Sequence, residues 1–355
     1  MARDKVVLVT GGAGFLGQHI VKHLMERAPS VSQVRVFDLR PYSNTLGHAE
    51  QKPLQSLVGN LSDEEALRAA LRGVNTVIHA ASLVSYCMFP DMQQIREVNV
   101  EGTRRIINLC LEENVENLVY TSTVDVVISR DDIIYGNEDQ VPRLSRTIYP
   151  AYGDTKSEAE GLVVAANGSL LANGQTFHSL ALRPTVMYGE EDPHYISELI
   201  RQAKIVGPYL VVPRIGGGKL QQTYVGNVAW AHVVAMETMS CDSSVGGEAY
   251  FVTDDTPVAN AADFAKPIIQ HRHHKIFTFT IPSVLMFMVT WLLTCFARII
   301  RPIKEMNLPL DINTIIYISH TYCFSRKKLE EKLGYKPLYD VSKAITLSLE
   351  YYKSL

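Results

Sequence analysis

The feature that most limits what this 355-residue chain can fold into is an apolar strand running straight into glycines spaced three apart. The stretch is Val7-Leu8-Val9-Thr10-Gly11-Gly12-Ala13-Gly14-Phe15-Leu16-Gly17, followed by Ile20, Val21, Leu24 and Met25 at helical spacing. Gly11 permits the tight turn, Gly14 lets backbone approach a pyrophosphate, and Gly17 lets helix and strand pack closely. A helix starting there offers free N–H groups and a positive dipole end to phosphate. A second apolar strand, Val34-Arg35-Val36-Phe37, ends in Asp38, 21 residues past Gly17, where a ribose-binding carboxylate is expected. A glycine trio alone is often an ordinary turn; with the second strand and its terminal acid it predicts a dinucleotide site. The Asp38 carboxylate would repel a 2′-phosphate and so favour NAD over NADP, a preference that Arg40 would temper.

Alternation of strand and helix extends the pattern. Strands are expected at Leu54–Val58, Val74–His79, Asn117–Thr121 and His178–Leu182. Helices are expected at Asp63–Leu71, Gln94–Glu112 and Ala151–Ala166. This order predicts an α/β fold, a doubly wound parallel sheet of Rossmann type, with a smaller C-terminal substrate region and a hydrophobic membrane-associated helix. The expected division is 1–187 for the dinucleotide-binding domain and 188–270 for the substrate region. A membrane-associated segment, 271–304, and a tail, 305–355, that packs on the catalytic domain complete it. Hydrophobic residues make up 46% and charged residues 20%, which suits a globular chain, and the net charge of -3 gives no reason to expect nucleic acid. Five scattered cysteines lack metal-ligand spacing and suit a reducing compartment, so no metal is expected and the sequons at Asn60 and Asn167 read as chance. No signal peptide is expected, because Met1 to Asp4 leads straight into the first strand.

Ile276–Ala297 holds no charged residue over 22 positions. It is flanked by His271-Arg272-His273-His274-Lys275 and by Arg298, Arg301 and Lys304. It reads either as a buried core helix or as a membrane element, since a bilayer needs about 20 apolar residues. Pro282 shortens the helix, and the histidines beside basic residues read as a headgroup-facing patch rather than a metal site. If the tail packs on the main domain, both flanks lie on one side of the membrane, which favours an interfacial or re-entrant helix over a crossing.

Oxidation of a secondary alcohol needs a group that takes the hydroxyl proton. Tyr152-Gly153-Asp154-Thr155-Lys156 sets a phenol and a cation four apart on one helix face. Tyr339 and Lys343 repeat the spacing, so position must decide. Tyr152 follows the strand ending Tyr120-Thr121-Ser122-Thr123, whose hydroxyls emerge at a carboxyl end of the sheet, where ligands bind.

With Asn99-Val100-Glu101-Gly102-Thr103 and Leu182-Arg183-Pro184-Thr185 in order, the chain resembles an extended short-chain dehydrogenase/reductase. Two further stretches, Tyr224-Val225-Gly226-Asn227-Val228-Ala229-Trp230-Ala231-His232 and Tyr250-Phe251-Val252-Thr253-Asp254-Asp255-Thr256-Pro257, narrow the resemblance to the 3β-hydroxysteroid dehydrogenase/Δ5-Δ4 isomerase branch. The resemblance implies that Tyr152 is the general acid/base, that Lys156 lowers its pKa and holds the nicotinamide ribose, and that Thr123, usually serine in the family, bonds the reacting oxygen. It implies a cofactor lining of Gly11, Gly14, Phe15, Leu16, Gly17, Asp38, Asn60, Leu61, Ala80, Ala81 and Pro184, joined by Tyr152 and Lys156. Tyr250 and Asp254 match positions proposed for the double-bond shift, and equally suit a strand end and a turn. The implied activity is NAD-dependent oxidation of a steroid or sterol 3β-hydroxyl with Δ5-to-Δ4 isomerisation, in steroid biosynthesis. The implied setting is the endoplasmic reticulum membrane, catalytic domain facing the cytosol, with a mitochondrial membrane as the second option and a homodimer admitted. The alternatives are a decarboxylating sterol 4-carboxylate 3-dehydrogenase, a nucleotide-sugar epimerase or dehydratase, and a dinucleotide sensor without turnover.

Overall fold

Seven short strands, each ending in turn or loop chemistry, pair side by side and all in parallel. They are β1 (Lys5–Thr10), β2 (Val31–Asp38), β3 (Leu54–Val58), β4 (Thr76–His79), β5 (Asn117–Thr121), β6 (His178–Pro184) and β7 (Ala249–Val252). The computed structural model describes residues 5–206, 209–211, 214–270, 275–277, 279–303 and 311–355. Strand order is β7-β6-β5-β4-β1-β2-β3. The chain therefore winds outward from β1 through β2 and β3, then returns to build the other half from β4. The crevice between the carboxyl ends of β1 and β4 is the switch point, where this class of sheet binds ligands.

Both faces of the sheet are covered, which explains why β4 and β5 are buried along their whole lengths. On one face α1 (Phe15–Arg27) and α5 (Val225–Cys241) pack together, with Ile20, Val21, Leu24 and Met25 meeting Val228, Ala231 and Met236. On the other lie α2 (Glu64–Leu71), α3 (Gly102–Glu112) and α4 (Tyr152–Ala166), through Leu67, Leu71, Ile106, Cys110, Ala159 and Val163. Asp63 caps α2 by accepting the Ala66 N–H. The predicted helix Gln94–Glu112 is present but interrupted: Met92–Arg96 is α-helical, Glu97–Glu101 is a π turn, and α3 follows. Such a turn widens the helix locally and often marks a functional site.

A boundary at residue 187 does not separate the sheet from the rest. β7 and α5 both come from beyond it, and they complete one edge of the sheet and one of its covering layers. The tail packs back as well. Tyr322–Phe324 pairs in parallel with Ile133–Gly136, and Leu329, Leu333, Tyr335, Ala344 and Tyr352 enter the core. The Tyr352 hydroxyl accepts the Gly189 N–H at 3.0 Å and donates to Asp192 at 3.1 Å.

The apolar run does not form one helix. Lys275–Phe277 and Thr280–Ile281 are short strands, Pro282 is the N-cap, and α6 covers Ser283–Ile300. Thr290, Thr294 and Ala297 are buried beside α7 (Ile312–Ser319). Leu285, Met288, Trp291, Leu292, Phe296 and Ile299 are exposed. His271 to His274 and Lys304, expected to flank the segment, lie outside the described residues.

Candidate active site

One large cavity, about 1090 Å³, opens at the switch point. Its dinucleotide half is made by the glycine turn. Gly11 has φ +70°, and a Cβ there would come within 2.7 Å of Ala81 Cα, so the position accepts only glycine. A Cβ on Gly17 would strike the Gly11 carbonyl oxygen and sit 2.6 Å from Gly12 Cα. Gly14 is the N-cap of α1 and gives no side-chain cap, so the first-turn N–H groups at Phe15 and Leu16, both lining the cavity, are available to an anion.

Asp38 ends β2 on the same wall. Its Oδ2 accepts the Ala13 N–H at 3.0 Å and its Oδ1 the Arg40 N–H at 3.3 Å. The Arg40 guanidinium donates to Ala13 O at 2.7 Å, so Arg40 is tied to the glycine turn beside Asp38. Asn60 lines the cavity with its Oδ1 accepting the Ser62 N–H at 3.1 Å. Leu61, Ala80, Ala81 and Pro184 complete the wall. The glycine cradle, the uncapped helix and the carboxylate at the strand end fit a dinucleotide with free ribose hydroxyls.

The chemical half is built on α4 and the loop after β5. Tyr152 and Lys156 are both buried on one face of α4. The Lys156 ammonium donates to Thr121 O at 2.5 Å and lies 4.1 Å from the centre of the Tyr120 ring. Burial lowers its pKa to about 7, against the opposing pull of Glu160. Glu160 is itself held by Arg183 through two bonds, 2.9 and 2.7 Å, and by the Ser122 hydroxyl at 2.6 Å. Lys156, expected to lower the Tyr152 phenol, lies one turn along the same helix. Burial first, and the Asp125 charge second, raise the phenol above its ordinary value. The neighbouring hydroxyls of Thr123 and Ser82 pull it down.

Asp125 and Tyr86 are site residues that sequence reasoning missed. Asp125 is buried, and its carboxylate accepts the Tyr86 hydroxyl at 2.9 Å. Its own N–H donates to Thr123 Oγ1 at 3.2 Å, opening the short turn Val124–Val126. Desolvation pushes the carboxyl up to about 6, against the pull of the Tyr86 and Thr123 hydroxyls. The only sequence signal was an acid two residues after Thr123 at a strand's carboxyl end. Asn99, in the π turn, accepts the Leu83 N–H at 2.8 Å and donates to Leu83 O and Thr155 Oγ1. It thereby fixes the loop that carries Ser82 and Tyr86.

Tyr250 and Asp254, matched to a double-bond shift, are not among the residues lining this cavity. The Tyr250 hydroxyl donates to Val245 O at 2.8 Å inside the main core. Asp254 accepts from Tyr224 N, Asn227 Nδ2 and Thr256 N, each at 2.9 Å. Both are committed to holding the surrounding fold. Tyr339 packs on His23 and Tyr224, away from the cavity wall, so position separates the two Tyr–Lys pairs.

The family model described as the 3-beta hydroxysteroid dehydrogenase/isomerase family matches residues 8–279. Among curated proteins, 3 beta-hydroxysteroid dehydrogenase type 7 of Mus musculus is 32% identical over 358 residues, covering 99% of this chain and 96% of the mouse protein. Among solved structures, MoeE5 in complex with UDP-glucuronic acid and NAD superposes with a TM-score of 0.69 at 22% identity, covering 98% and 99% of the two chains. The UDP-glucose 4-epimerase of Thermotoga maritima gives 0.70 at 18% identity over the same shares. At those identities the two structures establish the fold.

Proposed function

The chain belongs to the 3-beta hydroxysteroid dehydrogenase/isomerase family, and from that membership we propose that it oxidises the 3β-hydroxyl of a steroid or sterol to the ketone. The cofactor is NAD, which when bound accepts the hydride. Gly11, Gly14 and the start of α1 would hold its pyrophosphate, and Asp38 a ribose. Lys156 would reach the nicotinamide ribose, and Pro184 would back the ring. Thr123 holds the reacting oxygen beside the Tyr152 phenol, which takes the hydroxyl proton.

The observation that carries the substrate class is the lining beyond Tyr152. Val84, Tyr149, Met187, Leu220, Tyr317 and Ile318 form an apolar, aromatic wall suited to a flat lipophilic ring system. A nucleotide sugar would need free cations facing its phosphates, and the lining arginines are otherwise engaged, Arg201 with Glu198 at 2.6 Å and Arg40 with Ala13 O at 2.7 Å. The reaction ends at the ketone in this reading, because Tyr250 and Asp254 serve the core. Incubating the protein with NAD and a panel of 3β-hydroxysteroids, sterol 4-carboxylates and UDP-sugars, and following NADH, tests the reading. Turnover of 3β-hydroxysteroids supports it. Turnover of UDP-sugars alone would overturn it.

The setting follows from α6. The described residues contain one helix long and apolar enough to cross a membrane, Ser283–Ile300, and its exposed face is aliphatic and aromatic. Yet its N-terminal side is tied through Thr280–Ile281 to Arg214–Ile215, and its C-terminal side continues to α7 and the strand Tyr322–Phe324 in the same body. A single crossing would part those attachments. We therefore read α6 as lying in the interface of the endoplasmic reticulum membrane, the catalytic body on the cytosolic side, consistent with free thiols at all five cysteines. Asp311, Thr314, Tyr317 and Ile318, on or beside α7, line the cavity, so this helix joins the membrane face to the substrate half.

A further inference from the structure

Tyr351 and Tyr352 are consecutive residues of the tail helix Val341–Ser354, with different surroundings. Tyr351 lines the cavity, while Tyr352 is buried behind its wall. The Tyr352 hydroxyl accepts the Gly189 N–H at 3.0 Å and donates to Asp192 Oδ2 at 3.1 Å. The Asp192 N–H closes onto Gly189 O at 3.2 Å, so these two residues bound a tight turn. One phenol, from a helix more than a hundred residues away in sequence, therefore holds both ends of that turn.

The turn is built under constraint. Gly189 has φ +139°, and a Cβ there would come within 2.6 Å of Val225 Cγ1. Glu191 has φ +67°, a left-handed conformation that a residue with a side chain adopts only where its surroundings impose it. Asp192 imposes it from one side. Its Oδ1 accepts the N–H groups of His194 and Tyr195, each at 2.9 Å, and its Oδ2 those of Ile196 and Ser197 at 2.7 and 3.2 Å. These bonds cap the helix Ile196–Val206. Tyr352 imposes it from the other side.

The turn also has a fixed place beside the cofactor site. The His19 Nε2–H, on α1, donates to Glu190 O at 3.0 Å, and the Tyr224 hydroxyl donates to the Glu190 carboxylate at 2.8 Å. Glu190 is thus pinned to the helix whose first turn would hold the pyrophosphate. Glu191, Asp192, Pro193 and His194 continue from it along the cavity wall.

We propose that the Glu191–His194 segment lies against bound NAD and that Tyr352 is the positioning residue that keeps it there, so that the tail helix sets cofactor affinity through the turn it braces. The inference rests on the NAD assignment and is independent of which alcohol is oxidised. With the hydroxyl in place the turn is ordered before NAD arrives, and its ordering is not charged to binding. Without it the buried Gly189 N–H loses an acceptor and the conformation at Glu191 is opposed from one side only. The turn then leaves its binding arrangement for part of the time, and apparent affinity falls with the fraction that remains competent.

Tyr352→Phe in the full chain keeps the ring and removes the hydroxyl. Its Kd for NAD, read by fluorescence titration, should rise about tenfold, as for one buried hydrogen bond left unmade. Amide hydrogen exchange without NAD should quicken at residues 189–197 and hold in the strand Asn117–Thr121, a local pattern that general loss of stability would not give. Tyr335→Phe is the control. Tyr335 is another buried tail phenol, bonded to Asn227 O at 3.3 Å and absent from the cavity wall. Its variant should lower the melting temperature and leave the Kd unchanged. A Tyr352→Phe protein that binds NAD as wild type does, or a Tyr335→Phe protein weakened to the same degree, overturns the proposal. A measurement on the wild type covers the case in which Tyr352→Phe fails to fold: saturating NAD should slow exchange at residues 189–197. Exchange there that NAD leaves unchanged, while residues 11–17 become protected, overturns the proposal and leaves the NAD assignment standing.

Discussion

Tyr152 stands between two influences of opposite sign, an apolar burial and an acid neighbour that raise its pKa and two hydroxyls that lower it. If its phenol takes the substrate proton as proposed while the dinucleotide is held elsewhere, Tyr152→Phe should lose at least about a hundredfold in turnover. NAD affinity, read by fluorescence titration, should be unchanged. The matched Tyr339→Phe should keep wild-type rates, since Tyr339 lies outside the cavity wall. Asp38 permits a second expectation. Its carboxylate meets the ribose side of the cavity, so kcat/KM should be higher with NAD than with NADP, and Asp38→Ser should narrow the ratio. A wild-type preference for NADP would show that Arg40, bonded to Ala13 O, governs the site instead. Tyr152, Lys156 and Thr123 could be found from sequence because strand, loop and helix order fixes where their atoms emerge. Asp125 could not, because its meaning comes from Tyr86, 39 residues away, and from burial that no local pattern records.

Elements carry their own consequences. β7 contributes Tyr250 to the core, and the following loop contributes Asp254 as an anchor for three N–H groups. Tyr250→Phe should cost about 1 kcal/mol, and Asp254→Asn about 1–3 kcal/mol, both read in urea melts, with kcat at low temperature little altered. Selective loss of a double-bond shift in either variant would contradict this placement. Helix α6 has two faces with different fates. Leu285→Glu with Leu292→Glu alters only exposed positions, so binding to sedimented liposomes should fall sharply while the melting temperature holds. Ala297→Trp, on the face turned toward α7, should lower the melting temperature through overpacking. Composition marked an apolar run from 276 to 297 and Pro282 pointed to a shorter helix, but the sequence could not show the two short strands that take up the N-terminal end of the run. Nor could it show that Arg298 extends the last turn, where a cation suits the helix dipole.

At the scale of the whole molecule, burial lowers the pKa of four of the described histidines: His19 and His232 to about 4, and His23 and His79 to about 3. Burial is the first cause at each. Their folded values lie below the ordinary value of 6.5, so the stability they contribute is complete above 6.5 and drains away as pH falls toward 4 and 3. Asp125 acts in the opposite sense, binding its proton more readily in the fold, and offsets at most one of the four. The melting temperature should therefore drop steeply between about pH 6.5 and 4. A flat profile there would mean that these rings are not buried as described. The sheet was legible because each strand advertises itself locally. The unity of the molecule was not, since β7, α5 and the tail join the core through contacts made far apart in sequence. Helix α7 belongs at once to the wall of the cavity and to the base under the exposed apolar helix α6. On the proposed membrane reading, such a protein samples substrate by its crowding within a leaflet, not by its amount per litre. Adding inert phospholipid at fixed steroid should slow it, and its half-saturation point should be constant only when expressed as a mole fraction of the surface.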